Sequence, residues 1–267
     1  MLRERVRTGA IALRNVLLGA NAASAALARH PAGLVSYATH AISLLDSIRQ
    51  NRGLPERNIL DVLPGAPPAV PITLVGRQEG VWLGSIGSFL VDLVGLCILC
   101  KATRPRTVFE IGTLNGYSAL HLALNSPNDT TVYTLDLPTG TARPSLRVTL
   151  SDISHADRGA ATTRYWFSDT EVEPKIRTLH GDSAAFDFGP WHGKVDLFFI
   201  DGAHSYDYVR SDTENALRCL RPGGAIAWHD FGRRGVNGVS LYLRALAAQG
   251  HAIYVVPGGS LAFTIAP

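Results

Sequence analysis

Four polar residues with proton-handling or cation-holding chemistry follow two short apolar runs. Asp201 and His204 come directly after Val195 to Ile200, and His229 and Asp230 come after Gly224 to Trp228. Carboxylates and imidazoles accept protons near neutral pH and bind divalent cations. Both runs have the length and composition of buried strands, so each carries its polar residues to the end of a strand. Parallel neighbouring strands would bring them to one edge of a sheet, the carboxyl edge, where open α/β sheets bind their ligands.

A second group surrounds Glu110-Ile-Gly112-Thr-Leu-Asn115-Gly116, a glycine turn between the strand-like Thr107 to Ile111 and a helical pattern that begins near Gly116. Glycines there let a ligand approach the backbone, and a helix start offers free N–H groups. Charge separates the two ligand classes that use such turns. A pyrophosphate is favoured by the helix dipole but repelled by an adjacent carboxylate, whereas a sulfonium or ammonium group is welcomed by one. Glu110 therefore suits a cationic ligand, and Leu114 breaks the full dinucleotide pattern G-x-G-x-x-G. Asp136 closes the next strand, Thr131 to Leu135, where a carboxylate can accept both ribose hydroxyls; a turn or capping role is its plain alternative. Asp182 and Ser183 follow the third strand and suit either an adenine amine or a helix N-cap.

The elements that must position these residues alternate strand and helix from about residue 88 to the end. Strands are predicted at 107–111, 131–135, 176–179, 195–200, 224–229, 251–256 and 261–266, and helices at 88–102, 116–125, 206–220 and 237–249. Such alternation predicts an α/β fold, a Rossmann-like, mostly parallel seven-stranded sheet. The turn Pro257-Gly258-Gly259 is too short for a crossover, so the last two strands form an antiparallel C-terminal hairpin. Between strands two and three, residues 137–175 are too many for a plain loop and hold Tyr165 and Trp166. They form an insertion that either covers a substrate site or is a surface embellishment.

Upstream, helical periodicity over 2–28 and 34–50 assigns residues 1–60 to an N-terminal helical extension. The proline-rich stretch 61–80 is an extended connector and the domain boundary, leaving 81–267 as the catalytic domain. The N-terminal helices carry apolar faces that need burial, against the acceptor site or in a homo-oligomer. A net charge of +3 with scattered Lys and Arg argues against a nucleic-acid partner. No apolar run reaches bilayer-spanning length, so no membrane role is expected. Three cysteines make no disulfide framework and point to a reducing, cytoplasmic setting. Cys97 and Cys100 lack the second pair that a zinc site needs and read as buried helix residues.

Taken in order, E-I-G-T-x-x-G-Y-S, the strand-two Asp136, G-D-S, I-D-G-x-H-S-Y, L-R-P-G-G and H-D resemble class I S-adenosylmethionine-dependent methyltransferases. The likeness is greatest to a bacterial group akin to antibiotic-sugar O-methyltransferases, and more distant to the catechol and caffeoyl-coenzyme A enzymes. It covers about residues 84–267. The resemblance implies that Glu110, Gly112, Asn115 and Gly116 line the methionine end of S-adenosylmethionine, that Asp136 holds the ribose, and that Asp182 and Ser183 face adenine. It places Asp201 beside the transferring methyl group and His204 and Asp230 around a small-molecule acceptor. In the metal-dependent relatives the positions of Asp201 and Asp230 hold a divalent cation together with the residue after the second. Here that residue is Phe231, which has no ligand atom, although two carboxylates and waters still suffice for Mg²⁺.

A hydroxyl acceptor would have to lose its proton. His204 is the candidate base, with Asp201 or a metal-bound alkoxide as other routes, and a capping or packing role is its alternative. His229 is read as structural. Two rivals stand beside methyl transfer to a sugar or polyketide-like hydroxyl. One is an NAD(P)-dependent oxidoreductase, which Glu110 and Leu114 disfavour, and the other is a non-catalytic adenosyl-cofactor-binding module.

Overall fold

The computed structural model describes residues 53–76, 86–137, 144–149, 152, 164–233 and 237–267. The helices read over 2–28 and 34–50 lie outside these residues. Seven strands form one sheet: β1 (Thr107–Ile111), β2 (Thr131–Asp136), β3 (Ile176–His180), β4 (Val195–Ile200), β5 (Leu220–Trp228), β6 (Tyr254–Val255) and β7 (Ala262–Ile265). Their order is β3-β2-β1-β4-β5-β7-β6. The first five run parallel, and β7 pairs antiparallel with both β5 and β6. The expected C-terminal hairpin is thus present, with its second strand inserted against β5.

The described helices are α1 (Ile59–Val62), α2 (Ile86–Thr103), α3 (Tyr117–Leu124), α4 (Tyr206–Cys219) and α5 (Asn237–Ala248). They cover both faces of the sheet, which explains why β4 reads as one apolar run: all six of its residues are buried. The two-residue period divides the core. Phe109, Phe198, Ile200 and Ile226 pack on the α4 and α5 side, while Val108, Leu197 and Phe199 pack against α2 and α3. Asp196 is the exception in β4. Its carboxylate accepts the N–H groups of Arg106 and Thr107 and pairs with Arg221, which fastens the amino end of the sheet.

Several boundaries differ from the sequence reading, among them that of β6, which spans only Tyr254–Val255 of the expected 251–256. β5 begins four residues early, at Leu220, because the chain stays in the strand through an irregularity, with Gly223 at φ +73°, that shifts the register against Val195 to Leu197. Residues 53–58, expected in the helical extension, do not form a helix. Pro55 offers no N–H, and this stretch instead pairs with the edge of β6, Pro55 O accepting from Val255 N and Arg57 N donating to Val255 O.

The connector is lashed along α3. Thr73 exchanges two hydrogen bonds with the Asn125 amide, Val75 N donates to His121 Nε2 at 3.0 Å, and Tyr117 Oη donates to Val75 O. His121 Nδ1 faces Tyr117 O at 2.8 Å, so the ring carries its proton there and Nε2 must remain unprotonated. Burial holds the His121 pKa below its ordinary value, against the pull of the Tyr117 carbonyl. The unfolded chain therefore takes up this proton first. The contribution of His121 to stability is whole above about pH 6.5 and declines below it, by at most about 1.4 kcal/mol per pH unit. Between pH 7 and pH 5 the wild-type Tm should drop further than that of His121→Gln. Parallel melting curves for the two proteins would refute the argument.

Candidate active site

The strand order reverses direction between β1 and β4, and a crevice at such a switch point is where α/β sheets hold ligands. The register aligns the strand ends there, Ile111 with Ile200 and Ile200 with Trp228. Backbone hydrogen bonds continue just past the strands. Gly112 N donates to Leu135 O, Asp201 N to Ile111 O and His229 N to Ile200 O. One edge thus presents the glycine turn, Asp201 and the His229–Asp230 pair.

Gly112 has φ +102°, and a Cβ there would lie 2.1 Å from Asp201 O, so the turn and the end of β4 meet at a distance only glycine allows. Leu114 stands at φ 47°, where a glycine would be relaxed, and its N–H is caught by Asp136 Oδ2 at 2.7 Å. Gly116, the left-handed N-cap of α3, leaves room for the Phe167 ring, which a Cβ would approach to 2.5 Å. A cavity of about 110 Å³ opens beside the turn. Gly112, Asn115, Leu93 and Leu96 line it together with Asp92, Asp201 and His229.

Glu110 does not line this cavity. It lies beneath the turn, fully buried, with Oε2 accepting from Thr134 Oγ1 at 2.5 Å and Oε1 without a hydrogen-bond partner. Burial pushes its pKa up to about 8, although the Ser118 and Thr134 hydroxyls draw it back. The group read from sequence as a carboxylate is thus largely a neutral carboxyl at neutral pH, and its attraction for a cation is realised only when one arrives. Burial also raises Asp136, against backbone N–H bonds from Leu114 and Leu137.

The adenine-side candidates are already engaged. Asp182 accepts from Tyr208 Oη at 2.9 Å, Ser145 N at 2.6 Å and Ala184 N at 3.0 Å, so an adenine amine would compete with three donors. Ser183 is buried beside it. Neither Asp136 nor these two residues reach the cavity.

Against the same cavity stands a charged cluster. His229 Nδ1 is 3.1 Å from both Asp201 Oδ1 and Asp230 Oδ1, and its Nε2 is 3.3 Å from Asp92 Oδ2. Arg233 Nη1 is 2.8 Å from Asp230 Oδ1. His204 lies behind, with Nδ1 2.5 Å from Asp152 Oδ1 and Nε2 2.9 Å from Asp230 Oδ2. Burial works against charge on His204, but hydrogen bonds to Asp152 and Asp230 raise its pKa to about 10. Burial likewise opposes charge on His229, and Asp201 and Asp230 overcome it, while His229, His204 and Arg233 hold Asp230 well below the usual carboxylate range.

With a carboxylate on each nitrogen, His204 presents no lone pair to an acceptor. It binds the insertion to Asp230 instead. Burial alone would raise Asp152, but its bonds to His204 and Thr149 outweigh that and keep it low. The described parts of 137–175 therefore cross the site at three points: Ser145 on Asp182, Asp152 on His204, and Trp166 N on Asn115 O at 2.9 Å.

Three residues of this centre were not anticipated. His229, read as structural, is its middle. Asp152 carries no motif. Asp92 did leave a signal, as the single acid in the apolar stretch of α2, and it is only 2% exposed.

A family model for a methyltransferase domain matches residues 109–231, from β1 through this cluster. A Mycolicibacterium vanbaalenii protein carrying an O-methyltransferase name is 31% identical over 160 residues, 59% of this chain and 62% of that protein. Caffeoyl-CoA O-methyltransferase 2 of Zea mays is 29% identical over 133 residues, 50% of this chain and 45% of the enzyme. Among solved structures, the O-methyltransferase TomG from Streptomyces achromogenes, in complex with SAM, shares 21% identity and a TM-score of 0.45, covering 67% of this chain and 80% of that one. The chain spans between about half and three-fifths of the length of these curated relatives. The glycine turn, β1 to β5 and the edge cluster all lie inside or beside the segment 109–231 that is similar to a methyltransferase domain.

Proposed function

We propose that this protein moves the methyl group of S-adenosylmethionine to a hydroxyl of a small molecule, a sugar or polyketide-like natural product, beside a divalent cation. The observation that carries the reading is that one cavity joins the glycine turn to Asp201 and His229, so a cofactor at the turn would face the charged cluster. Methyl transfer is an in-line displacement, and holding the two reactants in line supplies much of its acceleration. Gly112 and Asn115 would seat the methionine end, and the ribose and adenine would extend beyond that cavity's lining toward Asp136 and Ser183, with the insertion as cover.

Asp201 is the most open carboxylate of the cluster, its side chain 30% exposed against 12% for Asp230, 7% for Asp152 and 2% for Asp92. It is therefore the group that takes the acceptor proton, in place of His204. A cation, when bound by Asp201, His229 and Asp230, would supply Lewis-acid polarisation of the acceptor oxygen. The buried unpartnered His229 Nδ1 between two carboxylate oxygens supports such a site.

The setting proposed is a bacterial cytoplasm, supported by three buried, unpaired cysteines. Among the described residues no helix is long and apolar enough to cross a membrane. Assembly through the N-terminal helices, and a catalytic domain over 81–267, are part of the same proposal. Incubation with methyl-labelled cofactor and a panel of hydroxyl-bearing metabolites tests it: label on oxygen is expected, and label only on nitrogen or protein acceptors would overturn it.

Glu110 adds a pH signature. A cationic cofactor above the turn favours the ionised carboxyl, so binding releases a proton wherever the free protein still holds one. Affinity should rise with pH, by up to about tenfold per unit, and level off above about pH 8. Calorimetry in buffers of different ionisation enthalpy reads the released proton. A flat profile for the wild type, or an unchanged slope in Glu110→Gln, contradicts the assignment.

A further inference from the structure

We infer that the centre formed by Asp201, His229 and Asp230 selects a first-row transition ion over magnesium. The inference rests on the proposed methyl transfer only for the use made of the ion; the ligand set belongs to the side chains themselves.

One ligand atom from each of the three residues lies within 4.8 Å of the others. Successive side chains of an extended strand point to opposite faces, so His229 and Asp230 would ordinarily diverge. Asp230 instead adopts φ +62°, a left-handed conformation that L-residues rarely take. That turn brings both neighbours to the same point. Backbone strain of this kind persists where the surroundings enforce it, here through His204 on one oxygen of Asp230 and Arg233 on the other.

The imidazole is set as a ligand is set. Nδ1 is buried and equidistant from two carboxylate oxygens, yet makes a hydrogen bond to neither, so it faces the gap between them. Behind the ring, Asp92 Oδ2 sits 3.3 Å from Nε2. Asp92 is immobilised by Ser260 N at 2.6 Å, Ser260 Oγ at 2.5 Å and Leu261 N at 2.8 Å. A carboxylate behind an imidazole holds the far N–H, so an ion arriving between Asp201 and Asp230 would displace the Nδ1 proton and take that lone pair.

The donor chemistry decides which metal. Magnesium prefers six oxygens and gives up its waters reluctantly, whereas manganese, cobalt, nickel and zinc accept imidazole and carboxylate together.

The test uses the full chain, stripped with a chelator and titrated by calorimetry with Mn²⁺, Co²⁺, Zn²⁺ and Mg²⁺. One equivalent of Co²⁺ or Zn²⁺ is expected to bind at least about 100-fold more tightly than Mg²⁺, and Co²⁺ should show visible d–d bands that His229→Asp shifts. His229→Asp should narrow the Zn²⁺-to-Mg²⁺ preference, and Asp92→Asn should weaken Zn²⁺ about 10–100-fold with the bands retained. Equal affinity for Mg²⁺ and Zn²⁺, no stoichiometric binding of any ion, or cobalt bands indifferent to His229→Asp would overturn the inference. Binding of S-adenosylhomocysteine is measured on the same stripped protein. If that ligand binds and no transition ion does, the inference fails while methyl transfer stands. If a transition ion binds and that ligand does not, the metal centre stands and methyl transfer fails.

Discussion

Gly112→Ala is expected to lose cofactor binding and a large part of the stability of the fold together. A methyl group at this position would enter the Asp201 carbonyl, with only 2.1 Å available, and the backbone at φ +102° is one that alanine rarely adopts. Overpacking and forced left-handed geometry each cost about 1–3 kcal/mol. The sum, about 3 kcal/mol or more, corresponds to a fall of roughly 10 °C in Tm for a chain of this size. Relief requires β1 and β4 to part at the switch point, which moves the turn away from the cofactor. Affinity for S-adenosylhomocysteine should therefore fall by at least about 100-fold, since several contacts of about 1 kcal/mol are misplaced at once. Thermal melting and calorimetry on the same preparation check both effects. A variant that melts with the wild type and binds normally would show that the close approach of the two strands is not required.

Asp201→Asn is expected to preserve the fold and remove most turnover. The substitution keeps the shape of the side chain but weakens it both as a proton acceptor and as a cation ligand. Those roles carry about 10²–10⁴-fold each in comparable chemistry, so kcat/KM should fall by about 10³, equivalent to roughly 4 kcal/mol of transition-state stabilisation. Because Asp201 N, rather than its carboxylate, makes the bond to Ile111 O, Tm should change little. The KM for S-adenosylmethionine should change less than kcat, since the turn supplies the cofactor contacts. Steady-state kinetics with a responsive acceptor give the split. An Asn variant with wild-type kcat would remove Asp201 from the reaction.

Much of the architecture was legible because its signals are local and mutually consistent. The strand runs 107–111 and 195–200 are apolar but for Thr107, Glu110 and Asp196, and both boundaries match the structure. The short glycine turn after Val256 forces an antiparallel hairpin whatever the surroundings, and β6 with β7 form one. The candidate site was less legible, for different physical reasons in each case. His229 looks like any histidine at a strand end, and its role depends on the left-handed Asp230, a dihedral angle no spacing rule encodes. His204 has the composition of a base, but Asp152, 52 residues earlier, occupies its ring. Glu110 was placed correctly on the strand, yet its charge depends on burial, which a residue's type does not disclose.

The anchoring of Asp92 by Ser260 and Leu261 has a temporal consequence. These partners are separated by 168 and 169 residues, so during synthesis Asp92 leaves the ribosome long before the groups that fix it exist. A nascent chain that already holds β1 to β5 has its cofactor turn but no fixed partner for the His229 ring. Competence should therefore appear as one late event when the hairpin docks, so partially made chains would not sequester metal or consume cofactor.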